Sequence, residues 1–171
     1  ELGGNSPQVV LDDADVAAAA RQGAHGSFFH AGQICTAINR HIVHTGVVDE
    51  YVEVLIEEAR NWNVSPLINE SQRDRLVEFV TETVDAGATV ETGGEYDGLV
   101  YEATVLTDVR NDMPLACNEQ FGPVAAVITV ESEAEAIELA SDVDRGLSAS
   151  VWSEDERWAI QAGKQIDSGM V

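Results

Sequence analysis

The chain has 171 residues, of which 44% are hydrophobic and 23% are charged, and this composition predicts one globular domain spanning residues 1–171. Its 31 acidic side chains against 9 basic ones give a formal net charge of −22. With no basic patch to meet phosphates, nucleic acid is excluded as a partner. No apolar run approaches the roughly 20 residues of a membrane-spanning helix, so no membrane partner is expected either.

The cysteines and the acid excess predict where such a protein works. Two cysteines make no disulfide framework and no signal peptide is visible, so we expect a reducing cytoplasm. The chain begins at Glu1 without a methionine, which predicts a natural N-terminus that is processed or lies outside this sequence. The acids are spread over predicted helices, and Lys164 is the single lysine. Such a surface is typical of proteins from salt-loving organisms, and an ordinary acidic protein is the alternative.

Helices and strands are predicted to alternate along the chain. An Ala-rich helix with Asp12 or Asp13 as its cap comes first, and the apolar run VAAVITV is typical of a strand buried on both faces. The alternation predicts an α/β fold, in which a mostly parallel open sheet carries helices on both faces. The predicted helices cover residues 14–26, 48–60, 70–88, 131–146 and 154–169, and strands are predicted at 39–46, within 89–94 and 99–109, and at 124–130 and 147–153.

Cys35 is placed as a nucleophile would be. It lies in the stretch GQICTA, a loop that follows a predicted helix and precedes a predicted strand. Gly32 allows a tight backbone there, Gln33 belongs to the same loop, and the backbone amide of Cys35 is a candidate donor to an oxyanion. Cys117 lies in a polar connection and is a less favoured second thiol.

Several common sites are excluded by their motifs. No two glycines are spaced G-x-G, so the dinucleotide-binding fingerprint is absent. The phosphate-binding G-x-x-x-x-G-K-[ST] loop and the G-x-S-x-G elbow of serine hydrolases are also absent. His41 and His44 are three residues apart on a predicted strand and therefore point to opposite faces. No metal site is predicted.

Three segments resemble signatures of the aldehyde dehydrogenase superfamily, in the order in which that family has them. They are ELGGNSP at 1–7, FFHAGQICTA at 28–37 and NEQFGPV at 118–124, and the segments between them are similar as well. The resemblance covers essentially the whole chain. It implies the fold of the family's catalytic domain, truncated at both ends, with the NAD-binding half absent.

The resemblance also implies roles for residues that match its motifs. Cys35 would attack an aldehyde carbonyl to give a thiohemiacetal and, after hydride loss, a thioester. Glu1 would activate the water that hydrolyses this thioester, and Glu119 would hydrogen-bond the nicotinamide ribose. Phe121 lies beside Glu119, and His30 stands where asparagine is common, so both are candidate contacts to a substrate or to a vestigial cofactor site.

Three functions remain open from the sequence. An ester reaches the acyl-enzyme without hydride transfer, so we predict a hydrolase of short or activated esters that works through a Cys35 thioester and needs no cofactor. The first alternative is a fragment of a dehydrogenase that oxidises aldehydes with NAD or NADP. The second is a non-catalytic remnant or assembly module. The expected partner is a small ester or aldehyde, and a homo-oligomer is possible.

The net charge makes a prediction about salt. Repulsion among the acids destabilises the folded chain in dilute buffer, and added salt shortens the Debye length from about 10 Å at 0.1 M to about 3 Å at 1 M. We expect the melting temperature to rise between low and molar sodium chloride, as measured by calorimetry. A melting temperature that stays flat or falls contradicts the salt-adapted interpretation.

Overall fold

The computed structural model describes residues 3–171, so Glu1 and Leu2 lie outside the described part. Strands and helices alternate through most of it, as the apolar pattern predicts. The strands are β1 (Ser6–Val10), β2 (Ile38–His44), β3 (Thr89–Thr92), β4 (Tyr96–Asp97), β5 (Val100–Tyr101), β6 (Thr104–Thr107), β7 (Val124–Val130) and β8 (Ser150–Trp152). The helices are α1 (Val16–Phe28), α2 (Val48–Asn61), α3 (Glu70–Asp85), α4 (Pro114–Cys117), α5 (Glu133–Ser141) and α6 (Glu156–Gly163).

Six strands form one sheet in the order β3-β6-β7-β2-β1-β8. Every neighbouring pair is parallel except β3 and β6, which run antiparallel. The central β7 is buried at all but one position, as expected for an apolar strand covered on both faces. The predicted α/β fold with a mostly parallel sheet is therefore confirmed.

Two hydrophobic cores lie on opposite faces of this sheet. Successive strand residues alternate between them, because side chains of a strand point to opposite faces. Val10 and Val43 pack with α1 and α2, whereas Val9 and Ile42 pack with α3, α4 and α5. Helices thus cover both faces. In residues 3–171, no helix is both long and apolar enough to cross a membrane.

Several elements differ from the sequence prediction. The segment SPQVV forms the buried strand β1, which its Asn-Ser-Pro start disguised. Asp15 caps α1 by accepting the N–H of Ala18 at 3.0 Å, so the caps predicted at Asp12 or Asp13 are wrong. The last two helices, α5 and α6, are five or more residues shorter than predicted. Short turn-like elements, the β4–β5 hairpin and α4, carry too little periodicity to be predicted.

A buried arginine explains where α5 ends. Arg40 on β2 has no exposed surface, and its guanidinium donates to the carbonyl oxygens of Leu139 at 2.7 Å and Ala140 at 3.0 Å. It also donates to the side-chain oxygen of Asn111 at 3.0 Å and to both oxygens of Asn5, at 3.2 and 3.3 Å. Burial lowers its pKa to about 10, so the group stays charged at neutral pH. Its donors satisfy carbonyls that a helix C-terminus otherwise leaves unpaired.

Replacing Arg40 should strongly destabilise the fold. Arg40→Met leaves acceptors at the end of α5, on Asn5 and on Asn111 without their donor. We therefore expect a loss of about 3 kcal/mol in the free energy of unfolding, measured with urea. Arg21→Met is the control, because the Arg21 side chain is 61% exposed and its ion pair with Glu58 is long, with 3.8 Å between Nε and Oε1. That change should cost about 0.5 kcal/mol or less. Equal losses in the two variants would refute a structural role for the buried guanidinium.

Candidate active site

The connection between α1 and β2 is sharply bent where it approaches Cys35. It begins with a 3₁₀ turn over Phe29–Gly32, in which His30, Ala31 and Gly32 have φ angles of 53°, 55° and 65°. Left-handed backbone costs a residue other than glycine about 1–2 kcal/mol, so neighbouring contacts must hold this turn in place. We call residues 29–37, which include the half-buried Cys35, the Cys35 loop.

Cys35 itself lies in a tight turn, closed by the N–H of Ala37, which donates to the carbonyl oxygen of Ile34 at 3.0 Å. Gln33 was predicted in the oxyanion loop. Its side-chain oxygen accepts the backbone N–H of Ile68 at 2.8 Å. In this arrangement Gln33 ties the Cys35 loop to the connection between α2 and α3.

An aromatic patch borders the Cys35 loop. The exposed His30 ring contacts Phe29, with 4.3 Å between the ring centroids, and Phe29 stacks on His25 at 5.0 Å. His25 also meets the edge of Trp62 at 6.0 Å. Phe29 keeps 45% of its surface exposed. The contact of His30 with a substrate or cofactor stays a prediction.

Close backbone approach joins the Cys35 loop to the NEQFGPV segment. A Cβ added to Gly32 would overlap the carbonyl group of Gly122, and a Cβ on Gly122 would overlap the side chain of Leu76 on α3. Position 32 therefore needs glycine, and a side chain at position 122 would require Leu76 to shift. Two segments that are 90 residues apart in the chain thus meet without intervening side chains.

Glu119 reaches the same place from the other side. Its Oε1 accepts the backbone N–H of Gly4 at 2.9 Å, and a Cβ on Gly4 would overlap the carbonyl oxygen of Cys35. An added Cβ on Gly3 would lie 3.1 Å from Glu119 Oε2 and 3.0 Å from the Cδ of Arg145. The start of the described chain therefore lies between the Cys35 loop and the carboxylate of Glu119.

Helix α3 holds the backbone on which Glu119 and Phe121 sit. The amide of Gln72 donates to the carbonyl oxygens of Gln120 and Phe121, both at 2.9 Å, and Arg75 donates to the carbonyl oxygen of Glu119 at 2.9 Å. Phe121 has a φ of 50°, so these bonds support a left-handed residue. Sequence reasoning missed both donors, because polar residues on an exposed helix face carry no local signal of a distant partner.

Two other predicted residues stand apart from this cluster. Glu1 lies outside the described residues, so its role as a base stays a prediction. Cys117 donates its Sγ–H to the carbonyl oxygen of Asn111 at 3.1 Å, and partial burial, assisted by Asp112, raises the pKa of its thiol. A thiol that stays protonated is a poor nucleophile, which supports Cys35 over Cys117.

Neither the cavity along α2 nor any group of metal-ligating side chains in the described residues indicates another active site. A cavity of about 910 Å³ lies along α2 and the β3–β6 edge, and neither Cys35 nor Glu119 lines it. Between residues 3 and 171, no cluster of three or more His, Cys, Asp or Glu side chains is arranged to hold a metal ion.

Known proteins resemble the chain along its whole length. The sequence profile of the aldehyde dehydrogenase family matches residues 1–171. A vanillin dehydrogenase of Corynebacterium glutamicum is 46% identical over 100% of the chain, and a benzaldehyde dehydrogenase [NAD(+)] of Pseudomonas putida is 40% identical over 100%. The crystal structure of an NAD-dependent benzaldehyde dehydrogenase from C. glutamicum, 46% identical, superposes with a TM-score of 0.95 over 100% of this chain and 39% of its own. The chain spans 37% of the length of the two curated relatives.

These relatives contradict the predicted cofactor-independent ester hydrolase. Both curated relatives are dehydrogenases named for aldehydes, and the name of one includes NAD(+). The expectation that no cofactor is used loses its support with them. The expectation of no cofactor rested on the missing G-x-G fingerprint, but a sequence covering 37% of its relatives leaves most of their length untested for cofactor contacts.

The close contact at Gly32 is testable against a second left-handed glycine. Gly98, in the β4–β5 hairpin, has a φ of 59°, and a Cβ there would meet no atom within 4 Å. We expect Gly98→Ala to cost about 1 kcal/mol from backbone strain alone. Gly32→Ala should cost about 3 kcal/mol, because overlap with Gly122 adds to the same strain.

Urea unfolding of both variants, together with the rate at which iodoacetamide labels Cys35, measures this difference. Equal destabilisation of the two variants would show that Gly32 serves backbone conformation only and that the contact with Gly122 is unimportant.

Proposed function

The chain belongs to the aldehyde dehydrogenase family, and we propose that it supplies the nucleophile-bearing part of an NAD-dependent enzyme that oxidises aromatic aldehydes to carboxylic acids. The observation that carries the proposal is the meeting of Cys35, Gly4 and Glu119. The relatives at 46% and 40% identity, named for vanillin and benzaldehyde, support aldehydes on a benzene ring as the substrate class.

The chemistry of Cys35 begins with addition to the aldehyde. Its Sγ, as thiolate, forms a bond to the carbonyl carbon, and the carbonyl π electrons move to the oxygen. NAD, for which Glu119 is the candidate holding residue, would supply the acceptor for the hydride that must leave this carbon. The carbon is then held on Cys35 as a thioester. Water attacks it, the C–S bond breaks, and the carboxylic acid leaves while the thiol is regenerated.

Glu119 suits a ribose hydroxyl as its partner. One carboxylate oxygen accepts the N–H of Gly4, and the second lies on the side of Gly3, 3.1 Å from where a Cβ on that glycine would be. An ionised carboxylate has about four acceptor sites, so capacity remains for hydroxyl donors. Its backbone is fixed by Arg75 on α3, which limits how far the carboxylate moves. The residues present therefore fit the nicotinamide end of the cofactor.

The aromatic patch supports the same substrate class. Phe29, at the start of the Cys35 loop, has nearly half of its surface exposed, and its ring contacts the rings of His25 and His30. Aromatic pairs contribute about 0.5–1.5 kcal/mol beyond burial of area. A flat ring of a substrate gains from such a surface, whereas a short alkyl chain gains less.

Further expectations belong to this proposal. We infer that residues 1–171 act as a single catalytic domain with Glu1 as the base for deacylation. A homo-oligomer, a cytoplasmic location and adaptation to salt are consistent with the sequence and are not required by the chemistry.

The proposal is tested by following NADH absorbance in the full-length protein with benzaldehyde, vanillin and acetaldehyde. Cys35→Ala should lower kcat/KM by about 10³-fold or more, since no other group replaces the nucleophile. Cys117→Ala is the matched control and should keep kcat/KM within about twofold. Benzaldehyde and vanillin should be oxidised with higher kcat/KM than acetaldehyde. NADH formation that survives Cys35→Ala would overturn the mechanism, and a preference for acetaldehyde would overturn the substrate class.

A further inference from the structure

We infer that Ser27 and His41 are positioning residues for Cys35, because their buried hydrogen bonds fix both ends of the Cys35 loop. The inference rests on the proposed function only in taking this loop to be the reactive one. Neither side chain reaches a substrate, since Ser27 is 1% exposed and His41 is fully buried. Their effect on chemistry must therefore pass through the loop.

Ser27 joins the two flanks of the Cys35 loop. It lies in the last turn of α1, two residues before the strained turn begins at Phe29. Its Oγ donates to the carbonyl oxygen of Ile38 at 2.7 Å, and Ile38 is the first residue of β2. Its own carbonyl oxygen is 2.8 Å from the position that a Cβ on Gly32 would take. Ser27 thus approaches Gly32 inside the nine-residue segment that carries Cys35 and bonds Ile38 directly after it.

His41 holds the hydroxyl of Ser27 in this orientation. The Ser27 proton goes to Ile38, so His41 Nε2 must carry a proton and donate it to Ser27 Oγ at 2.8 Å. Nδ1 is then unprotonated and accepts the hydroxyl proton of Tyr51 at 2.6 Å. Gln8 donates its amide to Tyr51 at 2.9 Å. The chain of bonds is consistent only with neutral His41 in this tautomer.

Burial supports the neutral state. Desolvation lowers the pKa of His41 to about 3 and raises the pKa of Tyr51, so both are uncharged at neutral pH. Glycines of α1 make room for the chain of bonds. A Cβ on Gly23 would overlap the Tyr51 hydroxyl, and one on Gly26 would overlap the Ile38 side chain. Glycine inside a helix is less favourable than alanine, but Gly23 and Gly26 allow α1 to pack closely against Tyr51 and Ile38.

The test compares amide hydrogen exchange and aldehyde oxidation in the full-length protein. Ser27→Ala removes the hydroxyl that bonds Ile38 and His41, and Ser27→Thr keeps a hydroxyl at this position. His41→Gln is a milder change, because the amide carries a donor and an acceptor but replaces the planar ring whose two nitrogens bond Ser27 and Tyr51. Thr83→Val is the matched control, because its buried hydroxyl accepts the N–H of Leu115 at 3.1 Å near the far end of α3.

We expect Ser27→Ala to speed exchange of residues 29–37 by about tenfold and to lower kcat by a similar factor, as the loss of one buried hydrogen bond implies. His41→Gln should have a smaller effect of the same kind. Ser27→Thr should keep the exchange rate of residues 29–37 and kcat close to those of the parent protein. Thr83→Val should speed exchange at α3 and α4 and leave residues 29–37 unchanged.

Unchanged exchange in residues 29–37 of both Ser27→Ala and His41→Gln would overturn the inference. Faster exchange spread evenly over the chain would also overturn it, since that marks general destabilisation. A parent protein without aldehyde oxidation refutes the proposed function, and the exchange of the loop still decides whether Ser27 and His41 hold it. If Ser27→Ala does not fold, His41→Gln alone decides: faster exchange confined to residues 29–37 supports the inference, and unchanged exchange there overturns it.

Discussion

The guanidinium of Arg40 is the interaction on which the geometry of the site depends. It fixes Asn5 by both of its oxygens, and Asn5 directly follows Gly4. Gly4 in turn touches the carbonyl oxygen of Cys35 and donates to Glu119. A buried charge retains its place only when its donors are satisfied, so small displacements of this segment are opposed by several bonds at once. The position of the Glu119 carboxylate relative to Cys35 follows from that restraint.

Strand β2 controls Cys35 from both faces of the sheet. Arg40 and His41 are adjacent, so their side chains point to opposite faces. Arg40 reaches toward α5 and the start of β1, whereas His41 reaches toward α1 and α2. One strand, which begins three residues after Cys35, therefore ties the loop to the helices on either side. A loop with three left-handed residues persists because its two flanks are overdetermined in this way.

The sequence predicted the parts of this structure that are set by local patterns. The bounds of β7 agree with VAAVITV, and α2 ends one residue later than predicted. The family resemblance placed Cys35, Glu119 and their loops, and membership of the family is confirmed. The partners that hold them were not predictable, because Arg40 and Asn111 are 71 residues apart and Gln72 and Phe121 are 49 apart. Such contacts arise from topology, which no local periodicity encodes.

The mistaken hydrolase prediction has a physical origin in the chemistry of the acyl-enzyme. With Cys35 as the proposed nucleophile, ester hydrolysis and aldehyde oxidation would both pass through a thioester, and both would need water to release the acid. The two reactions differ only in what leaves the carbonyl carbon, an alkoxide in one and a hydride in the other. An alkoxide departs into water, but a hydride needs an acceptor held in place. In the proposed function Glu119 is the side chain that would distinguish the two reactions, because its carboxylate, held by the N–H of Gly4, has acceptor capacity left for a sugar hydroxyl of such an acceptor.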